Sequence, residues 1–401
     1  MTMLLLAVFS SVSIGAHEFV YKFRAGDKYR VIATVNEDVY VNRRLSYHAE
    51  ILDRISMEVT GVYGDRAALS AAFQTAEKTI MAGEGGSAVN PSLFFWDRDY
   101  QSEFEQDRLG YLTIADRYYM PMVRNVPAFP DRNIEVGESW SAQGIEVHDF
   151  RDNFGIEEPY RIPFTANYTY LGERVWRETA YPAFSVSYRV LLEPQAVPGR
   201  VFPRRILEAC DQIVYWDAGR GQAVAYEEYF RIILELSDGQ TYEYRGLSEA
   251  EVVEAPPMAK EDMVREIADH ILNNDIPDVS VRVTDEGIVI SLENIQFDPD
   301  SAVLRPVEKP KLDKIAEILM RYPDRDILVG GHTAMAGTAA GRMQLSVERA
   351  ASVAEYLLGK NVRAPDRVVI RGYGAEQPIA DNSTAAGMER NRRVEITILE
   401  N

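Results

Sequence analysis

The sequence contains little cysteine and little histidine. Cys210 is its single cysteine, which excludes an intrachain disulfide and a zinc site built on several cysteines. We interpret this residue as a small apolar side chain within a strand rather than as a nucleophile. The His-Glu-x-x-His spacing of a metal-binding helix is missing, so the sequence predicts no metal site. It also gives no sign of a cofactor. The five histidines are His17, His48, His148, His270 and His332.

Positive charge is also scarce. The 401 residues include 43 Lys and Arg against 62 Asp and Glu, which gives a formal net charge of -19. Such acidity disfavours nucleic acid and anionic lipid surfaces as partners. A hydrophobic fraction of 46% and a charged fraction of 26% are typical of globular proteins. The length predicts two or three domains.

Long apolar runs are absent after the first sixteen residues, so we predict no transmembrane helix. Residues 1–16, MTMLLLAVFSSVSIGA, are apolar and small, and polarity begins at His17. This pattern indicates a secretory signal segment with a cleavage site near Ala16, and the run is too short to span a bilayer. The alternative is a buried first strand or helix. We favour export across the inner membrane.

Residues 17–255 are predicted to be β-rich and to form one or two domains. Apolar and polar residues alternate over 29–35 and 55–59, which is typical of half-buried strands. Further strands are predicted over 184–190 and 230–236, and turn-forming residues separate them.

One short helix is predicted within this region, around Ala67–Met81. Leu69, Ala72 and Phe73 would share one face of such a helix. The remainder of the region is expected to be strand and turn.

Prolines interrupt the β-rich region and then end it. Pro121, Pro127 and Pro130 remove hydrogen-bond donors that strands within a bilayer cannot spare. We therefore expect a β region outside the membrane rather than one whose strands cross it. Pro256 and Pro257 cannot continue a strand ladder, so the β region is expected to end before them.

Residues 256–276 are predicted to be a linker followed by a helix. The helix is expected over Lys260–Leu272, because apolar residues recur there at helical spacing. The residues of this stripe are Met263, Ile267, Ala268 and Ile271.

Residues 277–401 alternate between strand and helix patterns. A turn at Asp285-Glu286-Gly287 predicts a β-hairpin, and apolar residues at helical spacing predict two helices. The predicted elements are a hairpin over 279–292, a helix carrying Leu312, Ile315, Ala316 and Leu319, a strand over 327–329, a helix beginning near Thr338 or Ser346 and carrying Ala350, Val353, Ala354 and Leu357, a strand over 368–370, and a last strand carrying Val394, Ile396 and Ile398.

Several short motifs of this segment occur together. They are Gly331-His332-Thr333-Ala334, Leu345-Ser346-Val347-Glu348-Arg349, Gly372-Tyr373-Gly374, Pro378-Ile379-Ala380-Asp381-Asn382 and Asn391-Arg392-Arg393. In combination they resemble the OmpA-like, peptidoglycan-associated domain over about residues 277–401. The resemblance implies a βαβαβ fold with a mixed sheet. The expected fold class of the chain is α+β, with an all-β N-terminal region before this domain.

The resemblance also implies a ligand site. Arg349, Thr333 and Asn391 match family positions that line the site for the diamino acid of the peptidoglycan stem peptide. There the guanidinium takes the ligand carboxylate, and an Asp takes the ligand ammonium through charge-assisted hydrogen bonds. This chain has Ala334 where the family usually has that Asp. Loss of such a bond is expected to weaken binding by roughly ten- to a hundredfold or more.

Another carboxylate could replace the missing one. Asp298 and Asp300 stand in a loop that resembles the family's loop between strand and first helix, and either could approach the site. Glu348 adjoins Arg349 but projects about 100° away around the helix.

The expected function is a non-catalytic scaffolding or interaction role at the cell envelope, with a degraded peptidoglycan clamp. The expected location is the periplasm or the periplasmic face of the outer membrane, and other envelope proteins are possible partners. The first alternative is a working tether to the peptidoglycan wall. The second is an envelope enzyme, although no Gly-x-Ser-x-Gly elbow is present and no catalytic residue can be assigned. A buried acid pair in a cleft of the β region would favour that second alternative.

Overall fold

The computed structural model describes five ranges of the chain: 16–81, 93–195, 200–253, 258–298 and 301–400. The expected signal segment lies outside these ranges except for Ala16, and so do Pro256 and Pro257 of the expected linker. Within the described ranges, no helix combines the length and the apolar composition needed to cross a membrane.

The chain forms two compact units, each made of several segments. The first unit comprises Met1–Asp27, Glu58–Ala71 and Gln101–Val252. The second unit comprises Lys28–Met57, Ala72–Tyr100 and Val253–Asn401.

Strands dominate the described residues before 254, as predicted. They include the predicted strands over 29–35, 55–59, 184–190 and 230–236, which are confirmed. A single turn of helix, α1 (Arg151–Phe154), lies between the seventh and eighth strands. The strands are β1 (Lys28–Val41), β2 (Arg44–Tyr63), β3 (Arg66–Met81), β4 (Phe94–Asp107), β5 (Leu112–Ile114), β6 (Val123–Arg124), β7 (Ser139–His148), β8 (Tyr160–Trp176), β9 (Thr179–Leu192), β10 (Pro203–Asp217), β11 (Gln222–Leu236) and β12 (Thr241–Val253).

The helix predicted around Ala67–Met81 is wrong, because this segment is strand β3. Ala67, Leu69, Ala71 and Phe73 are buried and the residues between them are less so, which is the period of two expected of a strand. The alanine-rich composition suggested a helix, but the alternation of burial requires the extended conformation.

The first unit contains an antiparallel run in which each strand from β7 to β12 pairs with the next. Side chains at even-numbered positions of β8 point to the interior, and these are Ile162, Phe164, Ala166, Tyr168 and Tyr170. The same rule holds for Phe184, Val186, Tyr188 and Val190 of β9. One face of this sheet therefore forms the core of the unit.

The second unit contains the helices and strands that follow residue 258. The helix predicted over Lys260–Leu272 is confirmed. The helix that begins at Ala339 is capped by Thr338 rather than by Ser346, since the Thr338 hydroxyl accepts a hydrogen bond from the Gly341 amide at 3.1 Å. Two 3₁₀ turns are also present, at Pro306–Glu308 and Pro365–Arg367. The elements are α2 (Lys260–Asn273), β13 (Val279–Val283), β14 (Gly287–Glu293), α3 (Lys309–Met320), β15 (Ile327–Gly331), α4 (Ala339–Gly359), β16 (Val368–Gly372), α5 (Ala385–Asn391) and β17 (Arg393–Leu399).

The strands of this unit form a mixed sheet in the order β13–β14–β17–β15–β16–β4. Strand β17 is antiparallel to its neighbours, whereas β15 and β16 are parallel. The predicted mixed sheet is therefore present. Its central strands β14, β17 and β15 are buried on both faces, and Val329, Ile370 and Ile396 point to the face that packs with α3 and α4.

The opposite face of the same sheet packs with residues from far upstream in the chain. Leu328, Val369 and Leu399 contact a cluster that includes Leu52 and Trp96. Strand β4 also extends the sheet, because Phe94 and Phe95 pair in parallel with Val369 and Ile370 of β16. The C-terminal sheet of this chain is thus completed by residues of the β-rich region, which the sequence analysis did not predict.

Candidate functional site

The candidate site lies where strand β15 ends and helix α4 passes close to it. A Cβ atom on Gly331 would lie 1.9 Å from the Ser346 carbonyl oxygen, so only glycine allows this approach. The helix residue Arg349 stands about one turn beyond Ser346. Gly331 therefore brings the helix and its arginine toward the segment that begins at His332.

Thr333 and Ala334 follow the strand and are both buried. The Thr333 amide donates a hydrogen bond to the Gly374 carbonyl at 2.7 Å, and the Ala336 amide donates to the Ala334 carbonyl at 2.8 Å. The Thr333 hydroxyl has no hydrogen-bond partner among the described residues. Ala334 is only 3% exposed and presents a methyl group. This position offers neither an acceptor atom nor a charge from its side chain.

Arg349 is held against the loop that precedes α3. Its guanidinium carbon lies 4.9 Å from the centre of the Phe297 ring, a cation–π distance. Its Nε atom lies 3.4 Å from the Ser301 carbonyl oxygen. These contacts hold the guanidinium of Arg349 beside Phe297 and Ser301.

The acids that could replace the missing carboxylate have other contacts. Asp298 forms an ion pair with Arg305 at 3.6 Å. Glu348 accepts a hydrogen bond from Gln344 at 2.8 Å. Asp300 lies outside the described residues. Asp298 and Glu348 therefore each contact a neighbouring polar side chain, Arg305 and Gln344 respectively.

Asn391 contacts the candidate site indirectly, through hydrogen bonds to the loop of residues 379–382. It is fully buried, and its side-chain oxygen accepts hydrogen bonds from the Ile379 and Ala380 amides at 2.8 and 3.0 Å. Its nitrogen donates to the Ala380 carbonyl and to Asn382. Asn382 in turn accepts a hydrogen bond from the Met335 amide at 3.1 Å. Asn391 therefore positions the segment that follows Ala334.

His332 is buried beside this site and is expected to stay neutral. It stacks on Tyr373 with ring centres 4.7 Å apart, and its Nε2 lies 3.7 Å from Glu395. Burial, and then the nearby Arg393, lower the pKa of His332 to about 3, although Glu395 opposes this shift. Neither ring nitrogen has a hydrogen-bond partner among the described residues.

Substitution of His332 by Phe is expected to reduce the acid sensitivity of folding. The folded-state pKa lies below the unfolded value of about 6.5, so the histidine favours unfolding as the pH falls from about 6.5 toward 3. The free energy of unfolding of the wild type should therefore drop by about 1–2 kcal/mol more than that of His332→Phe between pH 7 and pH 5. Urea titrations at both pH values measure this difference, and parallel curves for the two proteins would contradict it.

A second group of polar residues lies in the first unit and was missed by the sequence analysis. Glu146 and His148 share one face of β7, and their Oε2 and Nε2 atoms are 3.1 Å apart. One ligand atom each from Glu146, His148 and Glu208 of β10 lie within 4.8 Å of one another. Spacing rules did not find this group, because Glu208 is far from the other two in sequence. The alternation Glu-x-His on a strand was the available signal. We call Glu146, His148 and Glu208 the inner cluster. Its two buried glutamates are an acid pair of the kind that keeps an envelope enzyme as an alternative.

Comparison with known proteins identifies the C-terminal region. Residues 296–392 match the model of the OmpA family. This part of the chain is therefore a domain of the OmpA family, and the predicted resemblance is confirmed over residues 296–392.

Three relatives illustrate the similarity. The chain is 40% identical over 121 residues to the probable lipoprotein YiaD of Escherichia coli, a match that covers 30% of this chain and 55% of the relative. It is 43% identical over 103 residues to outer membrane protein A of Bordetella avium, covering 26% and 53%. It is 38% identical over 104 residues to the peptidoglycan-binding protein ArfA of Mycobacterium tuberculosis, covering 26% and 32%. The chain spans about half the length of the first two relatives.

Proposed function

We propose that this protein is a non-catalytic scaffolding or interaction protein of the cell envelope whose OmpA-family domain has a weakened grip on peptidoglycan. The proposed location is the periplasm or the periplasmic face of the outer membrane. The names of the relatives support an envelope role, since they include a lipoprotein, an outer membrane protein and a peptidoglycan-binding protein. The proposed segments are a signal segment over 1–16, a β-rich region over 17–255, a linker and helix over 256–276, and the OmpA-like domain over 277–401.

The proposed ligand site consists of Thr333, Ala334, Arg349, Asn391 and Asp298. Its main supporting observation is the buried methyl group of Ala334, which stands where the family usually places the carboxylate that takes the ligand ammonium. The ion pair of Asp298 with Arg305 also supports the proposal, because that carboxylate already has a cationic partner. Without a counter-charge, the ammonium of a stem peptide would lose hydration and gain little in return.

Arg349 would supply the positive half of the clamp. Arg349 is oriented by Phe297 and by the Ser301 carbonyl, and it can still receive a carboxylate through charge-assisted hydrogen bonds. The unpartnered hydroxyl of Thr333 is a further polar group at the site. These two groups are the reason for keeping a working wall tether as the second candidate function.

Co-sedimentation of the purified protein with peptidoglycan sacculi tests the proposal. We expect most of the wild-type protein to stay in the supernatant, and Arg349→Ala to change the bound fraction little. The matched control is Arg342→Ala, which removes an arginine from the first turn of the same helix. If the protein is a working tether, the wild type and Arg342→Ala will instead sediment with the sacculi. Arg349→Ala will then bind the sacculi at least tenfold more weakly than the wild type. That result would refute the weakened clamp.

A further inference from the structure

The inner cluster has the donor groups of a metal site. Glu146 and Glu208 supply carboxylate oxygens, and His148 supplies an imidazole nitrogen. The carboxylates are well enclosed, since Glu146 is 2% exposed and Glu208 is 7% exposed. The side chain of His148 retains some access to solvent, which gives an ion a route of entry.

The fold brings these residues together across a curved sheet. Three strand-to-strand steps separate β7 from β10, a distance of about 14 Å in a flat sheet. Yet the ligand atoms of Glu146 and Glu208 approach within 4.8 Å. The sheet must therefore bend over the cluster, so that inward side chains from distant strands converge on one point.

A third carboxyl group lies beside the two carboxyl groups of the inner cluster. Glu228 of β11 is close enough to act on both Glu146 and Glu208, and it accepts a hydrogen bond from the Cys210 thiol at 3.2 Å. The groups that act most strongly on the three carboxyls are one another, His148, Tyr188 and Cys210, with no lysine or arginine among them in the described residues.

One oxygen of the cluster has no protein partner. The Oε2 atom of Glu208 is buried without a hydrogen bond among the described residues. An unsatisfied buried carboxylate oxygen is costly, and a bound cation is one of the few ways to satisfy it. This observation is separate from the composition of the cluster and points to a ligand.

We propose that Glu146, His148 and Glu208 bind one divalent transition-metal ion, such as Zn²⁺. Ligand atoms of a tetrahedral Zn²⁺ site are about 3.3 Å apart, given bonds of about 2.0 Å, and the 3.1 Å between Glu146 and His148 is close to that spacing. The mixture of imidazole and carboxylate suits such an ion. Ca²⁺ is disfavoured because it requires six to eight oxygen ligands.

Neighbouring side chains orient these ligands. The Tyr188 hydroxyl lies near Glu146 and favours its charged form. The ring of His148 stacks on Phe150 with centres 5.3 Å apart. Groups of this kind commonly hold metal ligands in their binding geometry. The site is independent of the OmpA-family site, and its role would be to neutralise the cluster and hold β7 against β10.

Titration of the chelator-treated, full-length protein with Zn²⁺ tests this site. We expect the wild type to bind one equivalent by calorimetry and to unfold at a higher temperature with Zn²⁺, whereas Mg²⁺ at the same concentration changes nothing. Glu208→Gln and His148→Gln should each bind Zn²⁺ at least tenfold more weakly. The matched control is Glu227→Gln, which removes an exposed acid of β11 and should bind like the wild type.

Two results would overturn the proposal. One is the absence of Zn²⁺ binding by the wild type, which would mean that Glu146 and Glu208 merely share a proton. The other is equal binding by the wild type and both cluster variants. Circular dichroism in the presence of chelator shows whether each variant is folded. If Glu208→Gln is unfolded, the Zn²⁺ affinity of His148→Gln decides the question, because the His148 side chain is partly exposed.

Discussion

Ala334→Asp is expected to increase the affinity of the protein for peptidoglycan by roughly ten- to a hundredfold. The new carboxylate would stand beside Thr333, with Arg349 supplying the opposite charge. A hydrogen bond to a charged group contributes about 1.5–3 kcal/mol, which corresponds to that range of dissociation constants. Binding of soluble muropeptides, measured by calorimetry, gives the value directly.

Ala334→Asn is the control for this variant, because it adds nearly the same volume without the charge. It should bind muropeptides much like the wild type. Ala334→Asp combined with Arg349→Ala should lose most of the gain, since the clamp needs both charges. A wild-type protein that binds as tightly as Ala334→Asp would show that the buried methyl group does not limit the affinity.

Asp326→Ala is expected to lower the free energy of unfolding of the second unit by about 3–5 kcal/mol. Asp326 pairs with Arg54 at 2.8 Å and with Arg367 at 2.6 Å. Arg54 is 5% exposed, and two of its three guanidinium nitrogens have no hydrogen-bond partner among the described residues. Removal of Asp326 would leave this cation buried without its counter-charge, and urea unfolding monitored by circular dichroism measures the loss.

Arg54→Met is expected to behave differently, with a change of less than about 1 kcal/mol, because it replaces a poorly satisfied buried cation by an apolar side chain. Asp326 would keep Arg367 as its partner. The double variant Arg54→Met/Asp326→Ala should therefore be more stable than Asp326→Ala alone. If the double variant is as unstable as Asp326→Ala, the loss does not come from the uncompensated charge of Arg54.

Much of the OmpA-family domain could be predicted from local patterns. The stripe Leu312, Ile315 and Leu319 of α3 is buried as expected, and the alternation in the last strand correctly assigned Ile396 and Ile398 to the core. Short motifs located the site because Gly331, His332, Thr333 and Ala334 are consecutive in the sequence. Periodicity succeeds here because each element is long enough to repeat its pattern several times.

Features that depend on distant residues could not be predicted. Strand β3 was mistaken for a helix because alanine favours helices, and only its partners in the sheet impose the extended form. The approach of Glu208 to Glu146 depends on how strongly a sheet bends, which no local pattern records. The charge pairs of the candidate site, such as Asp298 with Arg305, likewise depend on side-chain positions rather than on spacing.

The pairing of β4 with β16 has a consequence for how this protein can be divided. The match to the OmpA family lies in the C-terminal portion, which invites the treatment of this portion as a transplantable module. Here, a fragment that begins at residue 277 would lack strand β4, which pairs with β16. Leu328, Val369 and Leu399 would also lose the upstream side chains that cover them. An unprotected sheet edge beside an apolar face promotes self-association. We therefore expect a fragment cut at that boundary to be less soluble than the whole chain.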